Sequence, residues 1–141
     1  MIIDSIENGI VIDHIRAGAG MELYHVLNLE QLTCSVAILK NVSSVRAGKK
    51  DIIKIDSLID IDLDVLGYID PDCTVNIIRN GRVAEKKRLE LPEKIVNVIR
   101  CRNPRCITSV EQGIPQVFKL TDRENGVYRC AYCETRAKKQ N

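Results

Sequence analysis

Four cysteines near the C-terminal end constrain this 141-residue chain more than any other feature. They stand as Cys101-Arg-Asn-Pro-Arg-Cys106 and Cys130-Ala-Tyr-Cys133. Two short cysteine pairs separated by one arm of polypeptide can bring four sulfurs to the corners of a tetrahedron around Zn²⁺. Thiolates are soft, anionic ligands, and a tight turn between paired ligands has little loop entropy to lose. Pro104 in the first turn and Gly126 ahead of the second suit such turns. With Cys101, Cys106, Cys130 and Cys133 all engaged, no coordination position is open for water, so the expected metal is structural, one Zn²⁺ per chain. Disulfides are the competing reading. They belong to oxidising compartments, and no secretory apolar segment opens the sequence, so the expectation is a reduced, cytoplasmic protein.

A metal-stapled module of this size leaves room for one ordinary core ahead of it. That core must be aliphatic, because aromatic residues make up 4% of the chain and tryptophan is absent. The same scarcity weighs against a stacking platform for nucleobases of a nucleic acid. No apolar run approaches the ~20 residues that span a bilayer. Charge divides the chain as the cysteines do. Through residue 93 there are eleven Lys and Arg against fifteen Asp and Glu, a balance of −4; from 94 onward there are ten against four, +6.

The pattern before the cysteines predicts β-strands at Gly9–Ile15, Gln31–Leu39, Asp51–Asp56, Cys73–Arg79 and Arg82–Leu89, with helices over Met21–Leu29 and Asp60–Tyr68. Asn41–Lys50 reads as a polar turn, and Asn80-Gly81 is a strong hairpin signal. The order βαββαβ(β) predicts a ferredoxin-like α+β domain over 1–92, an antiparallel sheet with two helices on one face. Residues 93–141 are expected to form a small all-β zinc-binding domain, with strands at Ile95–Ile99, Ile114–Leu120 and Val127–Arg129.

Catalysis finds no support. His14 and His25 are the two histidines, neither at metal spacing, and Ala17-Gly-Ala-Gly20 lacks the lysine of a phosphate-binding loop. In an otherwise acidic domain, two basic islands stand out, Arg46/Lys49/Lys50/Lys54 and Arg82/Lys86/Lys87/Arg88. On neighbouring strands they could hold a compact polyanion such as a triphosphate; solvated strand edges are the plainer alternative. Cys34 and Cys73 read as buried free thiols. A different reading of the C-terminal half is a zinc-ribbon nucleic-acid binder built on Arg100, Arg102, Arg105, Arg129, Arg136 and the Lys138-Lys139 tail.

Val11-Ile-Asp-His-Ile15, Lys50-Asp-Ile-Ile-Lys-Ile55, Pro71 with Thr74-Val-Asn76, Leu91-Pro-Glu93 with Asn97-Val98, and the closing cysteine pairs follow one another in an order that resembles the regulatory chain of aspartate carbamoyltransferase. The resemblance covers nearly the whole chain. It implies a non-catalytic subunit whose first domain binds nucleoside triphosphates such as CTP and ATP. It also implies that the zinc domain contacts the catalytic chain, and that the chain pairs with its own kind. By the same resemblance, Lys54 and Lys86 meet the phosphates with Lys50 nearby, and Asp13 meets the ribose. Ile6, Val11, His14, Asn76, Ile78 and Val83 line the rest of the pocket. Effector binding would act through a hinge near Leu91–Lys94, and the rim over Arg102–Ile107 and Gln112–Gln116 would face the catalytic chain. Two departures bear on effector preference: Gly81 stands where the best-studied member has a tyrosine, and the arm before Ile6 is shorter. In a regular strand, Asp13 and His14 would point to opposite faces, so both can meet one ligand only at a strand end or an irregularity.

Overall fold

The computed structural model describes residues 5–46 and 48–138. They gather into two compact units, one ending at Glu90 and the other beginning at Leu91. The first unit holds β1 (Gly9–Arg16), α1 (Gly20–Val26), a 3₁₀ turn at Leu29–Gln31, β2 (Val36–Ser44), β3 (Gly48–Ile55), α2 (Leu63–Ile69), β4 (Thr74–Arg79) and β5 (Arg82–Arg88). Its strands form one antiparallel sheet in the order β2-β3-β1-β4-β5. This is the ferredoxin-like arrangement with β5 added at the β4 edge.

Alternation decides which face is core. Ile10, Ile12, Ile53, Ile55 and Val75 point to one side and are 3% exposed or less. Leu23, Leu29, Leu66 and Ile69, from the helices and the turn between them, are buried with them. Asp62 starts α2 as N-cap, its carboxylate accepting from the N–H of Asp64 and Val65 at 3.1 and 3.2 Å. The predicted hairpin is present: Asn80 and Gly81 have φ of 53° and 75°, the left-handed pair of a type I′ turn.

Several boundaries differ from the sequence expectation. The first helix ends at Val26 rather than Leu29, because Asn28 turns left-handed at φ 55° and Leu29 begins the 3₁₀ turn. The second strand begins at Val36, not Gln31, and runs on through Ser44. The expected polar turn at Asn41–Lys50 thus shrinks to Val45 and Arg46 on the described side of Gly48. Polar residues are tolerated there because β2 is an edge strand paired to β3 alone.

The second unit holds β6 (Lys94–Val96), the one-turn α3 (Ile107–Val110), β7 (Val117–Asp122) and β8 (Val127–Cys130), with β6-β7-β8 antiparallel. The strand expected to reach Ile99 stops at Val96. Asn97 turns left-handed at φ 58°, and its side chain accepts from Gln116 N–H at 2.9 Å. Ile95, Phe118, Val127 and Tyr128 form the apolar core beside Cys106 and Cys130. The connecting stretch is tied into this unit: Tyr128 O–H donates to the Pro92 carbonyl, and Arg123 donates to that of Leu91 at 2.8 Å.

Candidate functional site

Two places concentrate chemistry. The first is the outer sheet face of the first unit, opposite its helices. Residues directly opposed on paired strands project to the same side. Here the register runs Lys54 opposite Val11, Val11 opposite Asn76, and Asn76 opposite Lys86. The two lysines therefore belong to one row across β3, β1, β4 and β5. At ~4.8 Å per strand, their backbones are about 14 Å apart, with Val11 and Asn76 between them. One step along the sheet, Asp13 opposes Thr74 and Thr74 opposes Arg88; one step the other way, Gly9 opposes Ile78 and Ile78 opposes Val83. Within this face, the side-chain oxygens Asn76 Oδ1 and Thr74 Oγ1 are buried without a hydrogen-bond partner. Orphaned buried acceptors are uncommon in folded proteins and call for an explanation.

Asp13 and His14 come together by an irregularity. β1 is bulged between Ile12 and Ile15, and His14 sits at φ 59°, so the strict alternation fails at this pair. His14 N–H donates to Asp13 Oδ1 at 2.6 Å, and Lys50 Nζ lies 2.9 Å from the same oxygen. Lys50, its side chain 17% exposed, is thus already neutralised by Asp13, whereas Lys54 is in none of the ion pairs among the described residues. Ile6 and Lys54 line a cavity of about 260 Å³ with Ser35 and Asp56. His14 and Lys50 line another of about 430 Å³, with Arg16, Arg46 and Asp70.

Burial acts to raise the Asp13 carboxyl, but Lys50 and the His14 N–H outweigh it and hold the group below its ordinary value. A carboxyl lowered on folding contributes stability above its unfolded value of about 3.9 and loses it as pH falls through the folded one. Thermal scans at successive pH below about 4 should therefore show a steeper loss of stability in the wild type than in Asp13→Asn. Equal slopes would count against the Asp13–Lys50 pair.

The second place is the cysteine cluster. Cys106 is the N-cap of α3, Cys130 ends β8, and Cys101 and Cys133 lie on the adjoining loops. The four sulfurs lie within 4.8 Å of one another. Cys101 and Cys133 are 3.5 Å apart and Cys106 and Cys130 3.7 Å. Four sulfurs about 2.3 Å from a tetrahedral Zn²⁺ would be separated by about 3.8 Å, so the set fits such an ion, and the spacing is far from a disulfide's ~2.05 Å. The Thr135 and Thr108 hydroxyls draw two of the thiols downward, Cys133 to about 6 and Cys106 in the same direction, while burial pushes Cys101 up to about 12 and raises Cys130. Four thiolates this close repel one another, and a dication relieves that repulsion.

Some residues at these places escaped the sequence reading. Asp51 is fully buried, and its carboxylate accepts from Gly18, Gly20 and Asn41 N–H groups, each at 3.0 Å. A signal was available, since Asp51 has the same strand parity as the core residues Ile53 and Ile55. Thr108 and Thr135, against the sulfurs, carried no signal beyond their nearness to cysteine. Lys139 of the basic tail lies outside the described residues. Cys73 is buried and its thiol is pushed up to about 12 by burial, while Cys34 is only half-buried.

Comparison with known proteins is consistent across the chain. A family model described as aspartate carbamoyltransferase regulatory chain, allosteric domain, matches residues 1–90, and one described as the metal binding domain of the same chain matches 93–141. Aspartate carbamoyltransferase regulatory chains are similar in Clostridium botulinum strain Hall (54% identity; 95% of this chain, 92% of the relative) and in Clostridium tetani (54%; 95% and 94%). The chain from Bifidobacterium longum is 47% identical over 98% of this chain and 99% of the relative.

Proposed function

The chain belongs to the family of aspartate carbamoyltransferase regulatory chains, and from that premise we propose that its first unit is a receptor for nucleoside triphosphates, CTP and ATP among them. The subunit is not itself catalytic; it serves the control of pyrimidine biosynthesis beside a catalytic chain. Support for the receptor reading comes chiefly from one observation, the in-register row Lys54–Val11–Asn76–Lys86 with its unpartnered Asn76 oxygen. Phosphate oxygens bridge two lysines at that spacing. Asn76 can turn to the ribose or base, and Ile6, Val11, Ile78 and Val83 cover apolar parts of the nucleoside. Asp13, His14 and Lys50 close the end of the site, with Asp13 free to take a ribose hydroxyl only as it shares its Lys50 contact.

The cysteine cluster holds one structural Zn²⁺ through Cys101, Cys106, Cys130 and Cys133. The rim beside it carries the docking surface for the catalytic chain. An 880 Å³ groove lined by Arg100, Gln112, Ile114 and Gln116 lies there, with Ile107 and Val110 exposed near it. Two regulatory chains pair with each other in the cytoplasm. Scarce aromatic residues favour this reading over nucleic-acid binding. No helix of the described residues is long and apolar enough to cross a membrane. A bound effector acts through the Leu91–Lys94 connection only so far as it binds two quaternary states differently, typically by about 1–3 kcal/mol.

Calorimetric titration of the metal-loaded chain with CTP tests the receptor. Lys86 lies on the wholly exposed β5, so Lys86→Ala should leave the fold intact. Loss of one charge-assisted phosphate contact, about 1.5–3 kcal/mol, should weaken CTP binding roughly ten- to hundredfold. Unchanged affinity would remove Lys86 from the phosphate site.

A further inference from the structure

Two threonines occupy equivalent places in the two halves of the cysteine cluster. Each stands two residues after the second cysteine of its pair, in Cys106-Ile-Thr108 and in Cys133-Glu-Thr135. Thr108 O–H donates to Cys106 Sγ at 3.2 Å; at the other half the Cys133 thiol donates to Thr135 Oγ1 at 3.1 Å, and once that sulfur is a thiolate only the threonine hydroxyl has a proton to give.

The repetition matters because the local structures are unlike. Thr108 lies in the single turn of α3, which Cys106 caps, whereas Thr135 lies in the loop beyond β8. A threonine in a helical turn often returns its hydroxyl to a carbonyl three or four residues back. Thr108 reaches instead to the sulfur two residues back, although it is 94% buried and has few partners to choose from. Two unrelated backbone settings thus deliver the same hydroxyl–sulfur contact to the corresponding cysteine.

We propose that Thr108 and Thr135 are positioning residues of the metal centre, each donating its O–H to a metal-bound thiolate, so that Cys106 and Cys133 are the two sulfurs whose excess charge is drawn off. This rests on the reading of the cluster as a metal site. Four thiolates around a dication leave a net charge of −2, and hydrogen bonds to sulfur lower thiolate electron density while fixing its direction. Two donors on opposite ligand pairs spread that relief over the tetrahedron. Cys133, half-buried, is the sulfur a solvent-borne electrophile or proton reaches more readily than buried Cys106, so the Thr135 contact protects the weaker side.

The test uses the full chain loaded with zinc, or with cobalt(II) as a spectroscopic stand-in. Thr108→Val and Thr135→Val keep side-chain shape and remove the donor. Each should shift the sulfur-to-cobalt charge-transfer band to lower energy and speed zinc transfer to a chromophoric chelator about tenfold, the lower end of what loss of an outer-shell partner costs. Thr→Ser at either position should restore both readouts. Thr135 is only partly buried, so its variant decides the matter if Thr108→Val disturbs the core. Band energy and release rate equal to wild type in a folded Thr135→Val would overturn the proposal. A wild-type chain that takes up neither metal would instead defeat the metal-site reading itself, and the proposal with it.

Discussion

Cys130→Ser, or removal of the metal by a chelator, is expected to unfold residues 91–138 while the five-stranded sheet keeps its own melting transition. The asymmetry follows from the two cores. In the first unit Ile12, Ile15, Leu23, Ile53, Ile55 and Leu66 are all 0% exposed, a continuous aliphatic core that owes nothing to metal. The second unit has three short strands and one helical turn around Ile95, Phe118, Val127 and Tyr128, and two of its remaining buried residues are the candidate metal ligands Cys106 and Cys130. Domains this small rarely bury enough surface to fold alone. Structural zinc supplies about 10–16 kcal/mol of apparent binding energy in zinc-finger-sized folds, comparable to a whole domain's usual stability of about 5–15 kcal/mol. Removing Cys130 leaves three ligands and a hole in the core, so the loss should be complete rather than graded. Hydrogen exchange reads it directly: amides of Phe118, Leu120 and Cys130 should lose protection, and those of Ile12 and Ile53 should keep it. A metal-free chain with full protection over β7 and β8 would show that the apolar core suffices.

The cysteine cluster was legible because its information is local. Spacing within each pair sets a turn, and two turns need only one meeting. Asn80-Gly81 was legible for the same reason, since left-handed backbone at both positions selects few residues. The row across the outer sheet face could be read in part: alternation put Lys54 away from Ile53 and Ile55, but only the register across four strands aligns it with Lys86. What sequence alone missed depends on partners far along the chain. Leu32, Cys34, Val36 and Ile38 alternate without a break, yet pairing with β3 begins only at Val36, opposite Ile55. Asn41–Ser44 looks like a turn because it is polar, and it is a strand because β3 offers it an edge. Asp13 and His14 share a neighbourhood through a bulge that no residue in that stretch announces.

Asp51→Ala should destabilise the first unit by about 3–5 kcal/mol, among the larger effects a single substitution produces. The carboxylate is 0% exposed and is the acceptor for three backbone donors from two segments: Gly18 and Gly20 at the entry to α1, and Asn41 in β2. Alanine strands all three, and each buried donor left without an acceptor costs about 1–3 kcal/mol. Asp51→Asn keeps the volume but turns an N–H₂ toward at least one N–H, so its cost should fall between alanine and wild type. The position of this carboxylate also explains a glycine: a Cβ on Gly20 would stand 2.9 Å from Asp51 Oδ2. Gly20→Ala alone should therefore be costly, and less so when Asp51 is already alanine. Urea melts of the two single variants and the double would reveal this as a cycle whose coupling has the sign of relieved overlap. The functional consequence comes from where the anchor sits. Lys50 pairs with Arg16 beyond the bulge of β1 and with Val42 beyond the irregularity of β2, so both distortions flank the residue next to Asp51. Loosening that corner should release Lys50 from Asp13 and weaken CTP binding along with stability, whereas a substitution of equal thermal cost elsewhere in the core, such as Leu66→Ala, should leave CTP affinity nearly unchanged. If Asp51→Ala melts within about 1 kcal/mol of wild type, backbone donors at this corner have found water, and the bulges must hold Lys50 by some other constraint.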